Sequence, residues 1–168
     1  MKYVKDHCRK RFKCIIIGDG PERQGLQEAI DRYELTDIVL LIGTIEPKKI
    51  GSYYKAADLF VFASQSETQG MVLLEAMAGG CPVVAVRSSG TDDMIIQGKN
   101  GYKTKADIKV WSEKVIELIE NEELRNSMSA NAHRFSENFS IEEMAKKAVK
   151  VYYRARKSKD ETISFGKT

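Results

Sequence analysis

The chain has 168 residues, about the size of one domain, and its 42% hydrophobic content is enough for one substantial core. Lys and Arg number 27 and Asp and Glu number 24, so the net charge of +3 does not favour a nucleic-acid-binding protein. No apolar stretch approaches the ~20 residues that span a bilayer, and the first residues are too charged for a secretory signal, so we expect a cytoplasmic protein, at most peripheral on the inner membrane face.

Short apolar runs alternate with segments of helical periodicity along the chain. Strands are predicted at 13–17, 38–42, 59–63 and 82–86, with an edge strand near 102–103. Helices are predicted at 22–34, 47–57, 71–78, 92–97, 108–120, 122–138 and 141–157. Strands that are apolar on both faces and alternate with helices specify a parallel sheet. We therefore predict an α/β fold, a doubly wound Rossmann-like parallel sheet with helices on both faces and a helical carboxyl-terminal tail.

Three predicted loops follow strands, where open parallel sheets bind their ligands. The first, 18–21, is not a dinucleotide fingerprint because Arg23 stands where the third Gly belongs. It is more simply a strand-to-helix turn, which leaves Gly18 at most a supporting role at the cleft edge. The second, 43–47, offers backbone groups and the apolar Ile45 to a nucleobase.

The third loop, 64–70, leads straight into the helix that begins at Met71. The first turn of a helix presents free backbone N–H groups and the positive end of a dipole, which suits a phosphate. Gly70 would allow close approach of a ligand, although an ordinary tight turn explains a Gly there equally well.

Glu75 lies among apolar neighbours in this helix, so we expect a buried carboxylate that needs a partner. A protein cation and a ribose 2′,3′-diol both meet that need, and the position alone does not choose between them. Glu67 precedes it by eight residues and belongs to the loop. The two carboxylates are therefore expected beside one phosphate site, one facing a ribose and the other a sugar.

The remaining reactive side chains do not form a recognisable site. His7 and His133 are expected on helices, in surface or packing roles. Cys8, Cys14 and Cys81 lack metal-ligand spacing and are expected as free, mostly buried thiols. Neither a Ser-His-Asp arrangement, a P-loop nor a Cys/His cluster can be assembled, so no metal site is expected.

Basic residues crowd both ends of the chain, with six Lys or Arg within 2–13 and seven within 146–159. A solvated helix face is the simpler explanation, because the stems of Lys side chains often lie along helices. Attraction to anionic lipid is the alternative.

The segment Glu67-Thr-Gln-Gly-Met-Val-Leu-Leu-Glu75 resembles the Glu, seven residues, Glu signature of the retaining glycosyltransferase family 4. Further similar segments are Ile17-Gly-Asp-Gly-Pro-Glu-Arg, Tyr54-Lys-Ala-Ala-Asp-Leu-Phe-Val, Gly80-Cys-Pro-Val-Val-Ala and Gly98-Lys-Asn-Gly-Tyr. The resemblance implies the donor-binding, carboxyl-terminal domain of a two-domain GT-B enzyme, at 1–158. The last residues, 159–168, are expected to be a disordered or frayed tail, as chain ends often are. The acceptor-binding amino-terminal domain would lie outside this sequence, and the chain alone would transfer no sugar.

The resemblance also implies roles for the residues of the loops. Glu75 would bind the ribose hydroxyls, Glu67 would act as the catalytic carboxylate on the transferred sugar, and Ile45 would lie near the base. Backbone N–H groups would meet the sugar and diphosphate, from Gly70, Met71, Val72 and Leu73. No metal or cofactor would be required. The Ser-Glu-Thr-Gln-Gly form of the loop is also similar to diacylglycerol glucosyltransferases that use UDP-glucose, so the acceptor is expected to be a lipid or a saccharide.

One departure from the family concerns the cations that neutralise the diphosphate. The family's Arg and Lys lie upstream of the first strand seen here, whereas Arg9, Lys10 and Arg11 are expected at the end of a helix. Two alternatives remain: a nucleotide-sugar-binding module without chemistry, and a sugar-nucleotide epimerase of the same fold.

Overall fold

A computed structural model describes the backbone of residues 1–165 and the side chains of residues 1–156. Its strands are β1 (Cys14–Ile17), β2 (Val39–Gly43), β3 (Phe60–Phe62), β4 (Val83–Val86) and β5 (Gly101–Thr104). Its helices are α1 (Lys2–His7), α2 (Arg23–Arg32), α3 (Pro47–Ala56), α4 (Met71–Ala78), α5 (Ser89–Met94), α6 (Ile108–Glu120), α7 (Glu122–Glu137) and α8 (Ile141–Phe165).

Each predicted strand and helix is present, and most ends lie within about two residues of the prediction. Helix α5 begins earlier than predicted because Ser88 and Thr91 pair at its start: the Ser88 N–H donates to Thr91 Oγ1, which donates to the Ser88 carbonyl. Helix α8 continues beyond 157, to Phe165. The predicted frayed tail includes 166–168, which lie outside the described residues, and that prediction stays untested.

All strand pairings among the described residues are parallel, which confirms the predicted α/β class. Cys14 lies opposite Val39, and Phe60 lies opposite Val83. The strands form two hydrogen-bonded groups, β1-β2 and β3-β4-β5, with β5 at an edge as predicted. The side chain of Met1 packs against the apolar cores of both groups.

Both faces of the β3-β4-β5 group are covered by helices. Val84 packs with Val115 of α6 and Val4 of α1 in one core. Val83 packs with Leu73 of α4 in the core of the opposite face, to which α5 and α7 also contribute. Alternation along β4 therefore buries every residue of that strand, as expected for a strand between two helical layers.

Helix α8 is amphipathic and largely solvated over its described side chains. Its large exposed apolar side chains are Ile141, Met144, Val149, Val151, Tyr152 and Tyr153. Its basic side chains include Lys146, which pairs with Glu143, and Lys147, which lies over the ring of Phe139. No helix within the described ranges is long and apolar enough to cross a membrane.

Candidate functional site

Four loops follow the carboxyl ends of β1, β2, β3 and β4, and direct bonds join them in pairs. The Gly18 N–H donates to the Gly43 carbonyl at 2.8 Å, which ties the first loop to the second. The Gly90 N–H donates to the Glu67 carbonyl at 3.0 Å, which ties the fourth loop to the third. The third and fourth loops surround the start of α4, where the sequence predicts a phosphate site.

The carboxylate of Glu67 is held by the backbone of its own loop. Its Oε1 accepts hydrogen bonds from the N–H groups of Gln69, at 2.9 Å, and Gly70, at 2.7 Å. These bonds lower the pKa of Glu67, because they stabilise its charged form, with the Gly70 N–H as the largest cause. No bond to Oε2 is present among the described residues, so one carboxylate oxygen remains for a ligand.

The backbone N–H groups at the start of α4 divide into two sets. The Gly70 N–H binds Glu67, and the Leu73 N–H donates to the Gly70 carbonyl at 3.0 Å, with the Leu73 side chain fully buried. The N–H groups of Met71 and Val72 have no acceptor among the described residues. Of the four groups predicted to meet a ligand, these two are therefore free to do so without displacing a protein acceptor.

Glu75 is exposed, so the prediction of a buried carboxylate was wrong. Helix α4 buries four apolar residues but leaves a stripe of Met71, Glu75 and Ala78, spaced along one side, open to solvent. A nearly continuous apolar run conceals which side of the helix is uncovered. The described residues place no Lys or Arg in an ion pair with Glu75.

Tyr54 is the protein partner of Glu75. Its hydroxyl donates to Glu75 Oε2 across 3.4 Å, from a buried position near the end of α3. Burial, followed by the charge of Glu75, raises the pKa of Tyr54 to about 12. The phenol therefore remains a hydrogen-bond donor throughout the neutral range. No sequence pattern indicates this pair, because Tyr54 and Glu75 belong to different loop-and-helix units.

The loop after β4 also belongs to the site, although only three loops were expected. Besides the Gly90 N–H, the Ser89 hydroxyl donates to the Glu67 carbonyl at 3.2 Å. Gly70 has a left-handed φ of +71°, and a side chain there would overlap the Gly90 carbonyl oxygen. The close approach predicted for Gly70 is thus made by protein backbone. Ser88-Ser89-Gly90, one residue after the end of β4, is the sequence signal that a fourth loop reaches the same edge of the sheet.

The remaining predicted site residues lie around the first two loops. Gly18 has a φ of +131°, which accounts for a Gly at that turn, and Ile45 is half-buried in the second loop. Arg23, which replaces the third Gly of a dinucleotide fingerprint, donates to the Leu41 carbonyl at 3.3 Å. A role for Ile45 beside a base stays a prediction.

Other candidate groups lie away from Glu67 and Glu75. A shallow cavity of about 520 Å³ borders Gly79, Gly80 and His133 at the opposite end of α4. His7 and His133 are exposed and approach the backbone carbonyls of Tyr3 and Ala78, which agrees with the expected surface or packing roles. The three cysteines are free, as expected, but only Cys81 is buried, whereas Cys8 and Cys14 are partly exposed. Within the described ranges no group of three or more His, Cys, Asp or Glu is arranged to hold a metal ion.

The profile of the family "Glycosyl transferases group 1" matches residues 1–135. Alpha-monoglucosyldiacylglycerol synthase of Acholeplasma laidlawii is 31% identical over 152 residues, which cover 90% of this chain and 37% of the relative. The chain therefore spans well under half the length of this curated relative.

Two solved structures have the same fold. The carboxyl-terminal domain of the group 1 glycosyl transferase LpcC from Francisella tularensis superposes with a TM-score of 0.70 at 27% identity, covering 77% of this chain and 70% of that one. The pneumococcal O-GlcNAc transferase GtfA, solved with UDP and GlcNAc, gives 0.74 at 25% identity, covering 84% of this chain and 29% of that one. The chain belongs to the group 1 glycosyltransferases and corresponds to their carboxyl-terminal, donor-binding domain of GT-B fold.

Proposed function

We propose that this domain binds a UDP-sugar, with UDP-glucose as the first candidate, for glycosyl transfer that retains the anomeric configuration. The observation that carries the proposal is the pair of free N–H groups of Met71 and Val72, between a loop carboxylate and a helix carboxylate. A helix start with free N–H groups suits a diphosphate. The structure of pneumococcal GtfA with UDP supports a uridine nucleotide as the ligand class.

The donor would lie along α4 with each part against a different group. The diphosphate would accept hydrogen bonds from Met71 and Val72, and the ribose diol would donate to Glu75. The free oxygen of Glu67 would accept a hydrogen bond from a hydroxyl group of the transferred sugar. Ile45 would border the base. Stabilising the leaving diphosphate with fixed N–H groups is the contribution that such a site makes to group transfer.

The charges of this arrangement limit its affinity. Two carboxylates lie near a ligand that carries several negative charges, and none of the described ion pairs brings Lys or Arg to Glu67 or Glu75. Like charges at short range oppose binding. We therefore propose that the cations which neutralise the diphosphate come from outside this chain, without a metal ion, and that the chain alone binds the donor weakly.

The acceptor side is proposed to lie in a separate amino-terminal domain, as the resemblance implies. The name of the A. laidlawii relative specifies a glucosyldiacylglycerol product, which supports a lipid acceptor ahead of a saccharide. Contact with a membrane surface would follow from such an acceptor. The chain on its own is expected to bind UDP-glucose and to release no UDP when it is mixed with UDP-glucose and diacylglycerol.

Calorimetric titration with UDP, GDP, ADP and UDP-glucose tests this proposal. We expect UDP to bind more tightly than GDP and ADP. Glu75→Ala is expected to weaken UDP binding about tenfold or more, because hydrogen bonds to a charged group are the stronger kind. Glu123→Ala changes an exposed glutamate of α7 and serves as the matched control. Equal binding of UDP by the wild type and Glu75→Ala would contradict the assignment of Glu75.

One observation favours a second candidate, a nucleotide-binding module without chemistry. Glu67 already has a structural task, since it accepts two N–H bonds of its own loop. In such a module Glu67 would be needed only for the loop. Glu67→Gln, which keeps an acceptor oxygen, would then bind UDP and UDP-glucose as the wild type does, whereas the transferase proposal predicts a selective loss of UDP-glucose.

A further inference from the structure

The loop after β4 lies directly against the back of the Glu67 loop. The Gly90 N–H and the Ser89 hydroxyl both donate to the Glu67 carbonyl, at 3.0 and 3.2 Å. Two donors on one carbonyl oxygen fix the position of the Glu67 main chain. The fourth loop therefore determines where the third loop stands.

Only a residue without a side chain fits at Gly90. A Cβ atom there would lie 2.8 Å from the Gly70 nitrogen and 2.9 Å from both the Gln69 nitrogen and Glu67 Cγ. Gly90 is not among the glycines with positive φ, so its backbone conformation is open to any residue. The requirement for Gly at this position is thus a close contact and not a strained turn.

The atoms that crowd Gly90 are the same ones that hold the Glu67 carboxylate. The Gln69 and Gly70 N–H groups both donate to Glu67 Oε1, which leaves Oε2 without a described partner. Moving these two nitrogens away from Gly90 would change the direction in which the carboxylate points. Contact with Gly90 and the orientation of Glu67 are therefore coupled.

The fourth loop is itself rigid enough to act as a support. Thr91 is fully buried, and its hydroxyl bridges the Ser88 N–H and carbonyl, both at 2.8 Å. The Arg87 N–H, just before it, donates to the Thr104 carbonyl at 2.8 Å, which extends the β4–β5 pairing. The position of Gly90 is thus set by the sheet and by the start of α5.

We propose that Gly90 is a positioning residue that aims the free oxygen of Glu67 at the hydroxyls of the transferred sugar. The inference rests on the proposed function, because it assigns Gly90 to the sugar half of the donor. Gly90 touches no ligand in this arrangement and acts through Glu67. It should therefore affect the binding of UDP-glucose and leave the binding of UDP nearly unchanged.

Titration of Gly90→Ala with UDP and with UDP-glucose tests the inference. We expect the ratio of the UDP-glucose Kd to the UDP Kd to rise about tenfold, the size of one lost hydrogen bond to a charged group. In Glu67→Gln the further change Gly90→Ala should add little, because both substitutions act on the same side chain. Gly51→Ala is the matched control, since a side chain there meets only open space on α3.

A carbon-detected NMR titration measures the pKa of the Glu67 carboxylate itself. General loosening of the loop would leave this pKa unchanged unless the hydrogen bonds to the carboxylate also changed. The pKa of Glu67 lies below its usual value because of the two N–H bonds, and in Gly90→Ala it should rise toward that value. Ser89→Ala, which removes only one hydrogen bond, should give a smaller shift in the same direction. It also provides the test if Gly90→Ala does not fold.

Three outcomes would overturn the inference. One is an unchanged Kd ratio in folded Gly90→Ala, or in Ser89→Ala if Gly90→Ala does not fold, together with an unchanged pKa of Glu67. Another is an equal loss of UDP and UDP-glucose, which would mean that Gly90 supports the helix start as a whole. The third, a wild-type chain that binds neither ligand, would refute the proposed function itself and is recognised before any variant is made.

Discussion

The two glutamates of the site differ in what holds them. Glu67 is fixed by two backbone N–H groups of its own loop and, through its carbonyl, by a second loop. Glu75 stands on an exposed helix stripe with one hydrogen bond of 3.4 Å from Tyr54. Backbone groups cannot adopt new rotamers, so Glu67 is placed by the fold, whereas Glu75 is placed by a side chain that can move.

This difference matches the tasks proposed for the two residues. A carboxylate that acts on the reacting sugar must be aimed before the donor arrives, because misplacement by about 1 Å costs a large part of the rate. A carboxylate that binds a ribose diol needs only to be within reach. Substitutions that loosen the Glu67 loop should therefore lower the stability of the folded domain more than substitutions around Glu75.

The largest effect is expected for Gly70→Ala, at the contact between the third and fourth loops. An Ala at φ +71° costs about 1 kcal/mol. Its Cβ would also meet the Gly90 carbonyl oxygen and come within 2.7 Å of Met94 Cγ. We expect a total loss of about 2–4 kcal/mol in the free energy of unfolding. Urea denaturation measures it.

Gly98→Ala is the control for backbone strain alone. Gly98 has a φ of +73°, nearly that of Gly70, but a side chain there meets nothing within 4 Å. Its substitution should cost only about 1 kcal/mol. Equal losses in the two variants would show that the contact between the loops contributes nothing.

The sequence predicted α4 correctly because an apolar run between Gly70 and Gly79 has clear ends. The same run hid the exposure of Glu75. A helix that is apolar at most positions has little periodicity, and periodicity is the signal that separates the buried side from the exposed one. Which stripe stays uncovered depends on where α3, α5 and α7 pack, and a single sequence does not state it.

The support at Gly90 could not be predicted from the sequence for a different reason. Gly90 and Gly70 are separated by a helix and a strand, and their contact depends on the register of β3 against β4. The bonds from the Gln69 and Gly70 N–H groups to Glu67 are local, and side chains of this kind often accept hydrogen bonds from backbone N–H groups a few residues later. Ser, Thr, Asn and Asp are the residues that typically do so, and a Glu at this position therefore did not indicate such a role.

The next effect in size concerns the stability that each glutamate provides. Glu67→Ala should lower Tm clearly, because the Gln69 and Gly70 N–H groups lose their acceptor. Glu75→Ala should leave Tm nearly unchanged, since Glu75 is exposed and Tyr54 is its only described partner. Thermal unfolding followed by circular dichroism compares them. A larger loss of Tm in Glu75→Ala would reverse the assignment of the two roles.

The pH dependence sharpens this comparison. The pKa of Glu67 is lowered in the folded state, so its stabilising effect is present above the pKa of an unfolded glutamate. That effect is lost as the pH falls through the lower, folded value. The difference in Tm between the wild type and Glu67→Gln should therefore shrink on acidification, and a constant difference would contradict the role of the N–H bonds.

The smallest effect is expected for Tyr54→Phe, which removes only the hydroxyl that faces Glu75. A long hydrogen bond contributes about 0.5–1 kcal/mol, so the Kd for UDP should rise about two- to fivefold. Because the pKa of Tyr54 is raised to about 12, the phenol stays protonated and the ratio should be constant between neutral pH and moderately alkaline pH. Calorimetry at several pH values measures it, with Tyr53→Phe in the same helix as the control. If Tyr54→Phe binds UDP as the wild type does, Glu75 needs no partner to hold it, and its exposure alone is sufficient for reaching a ribose.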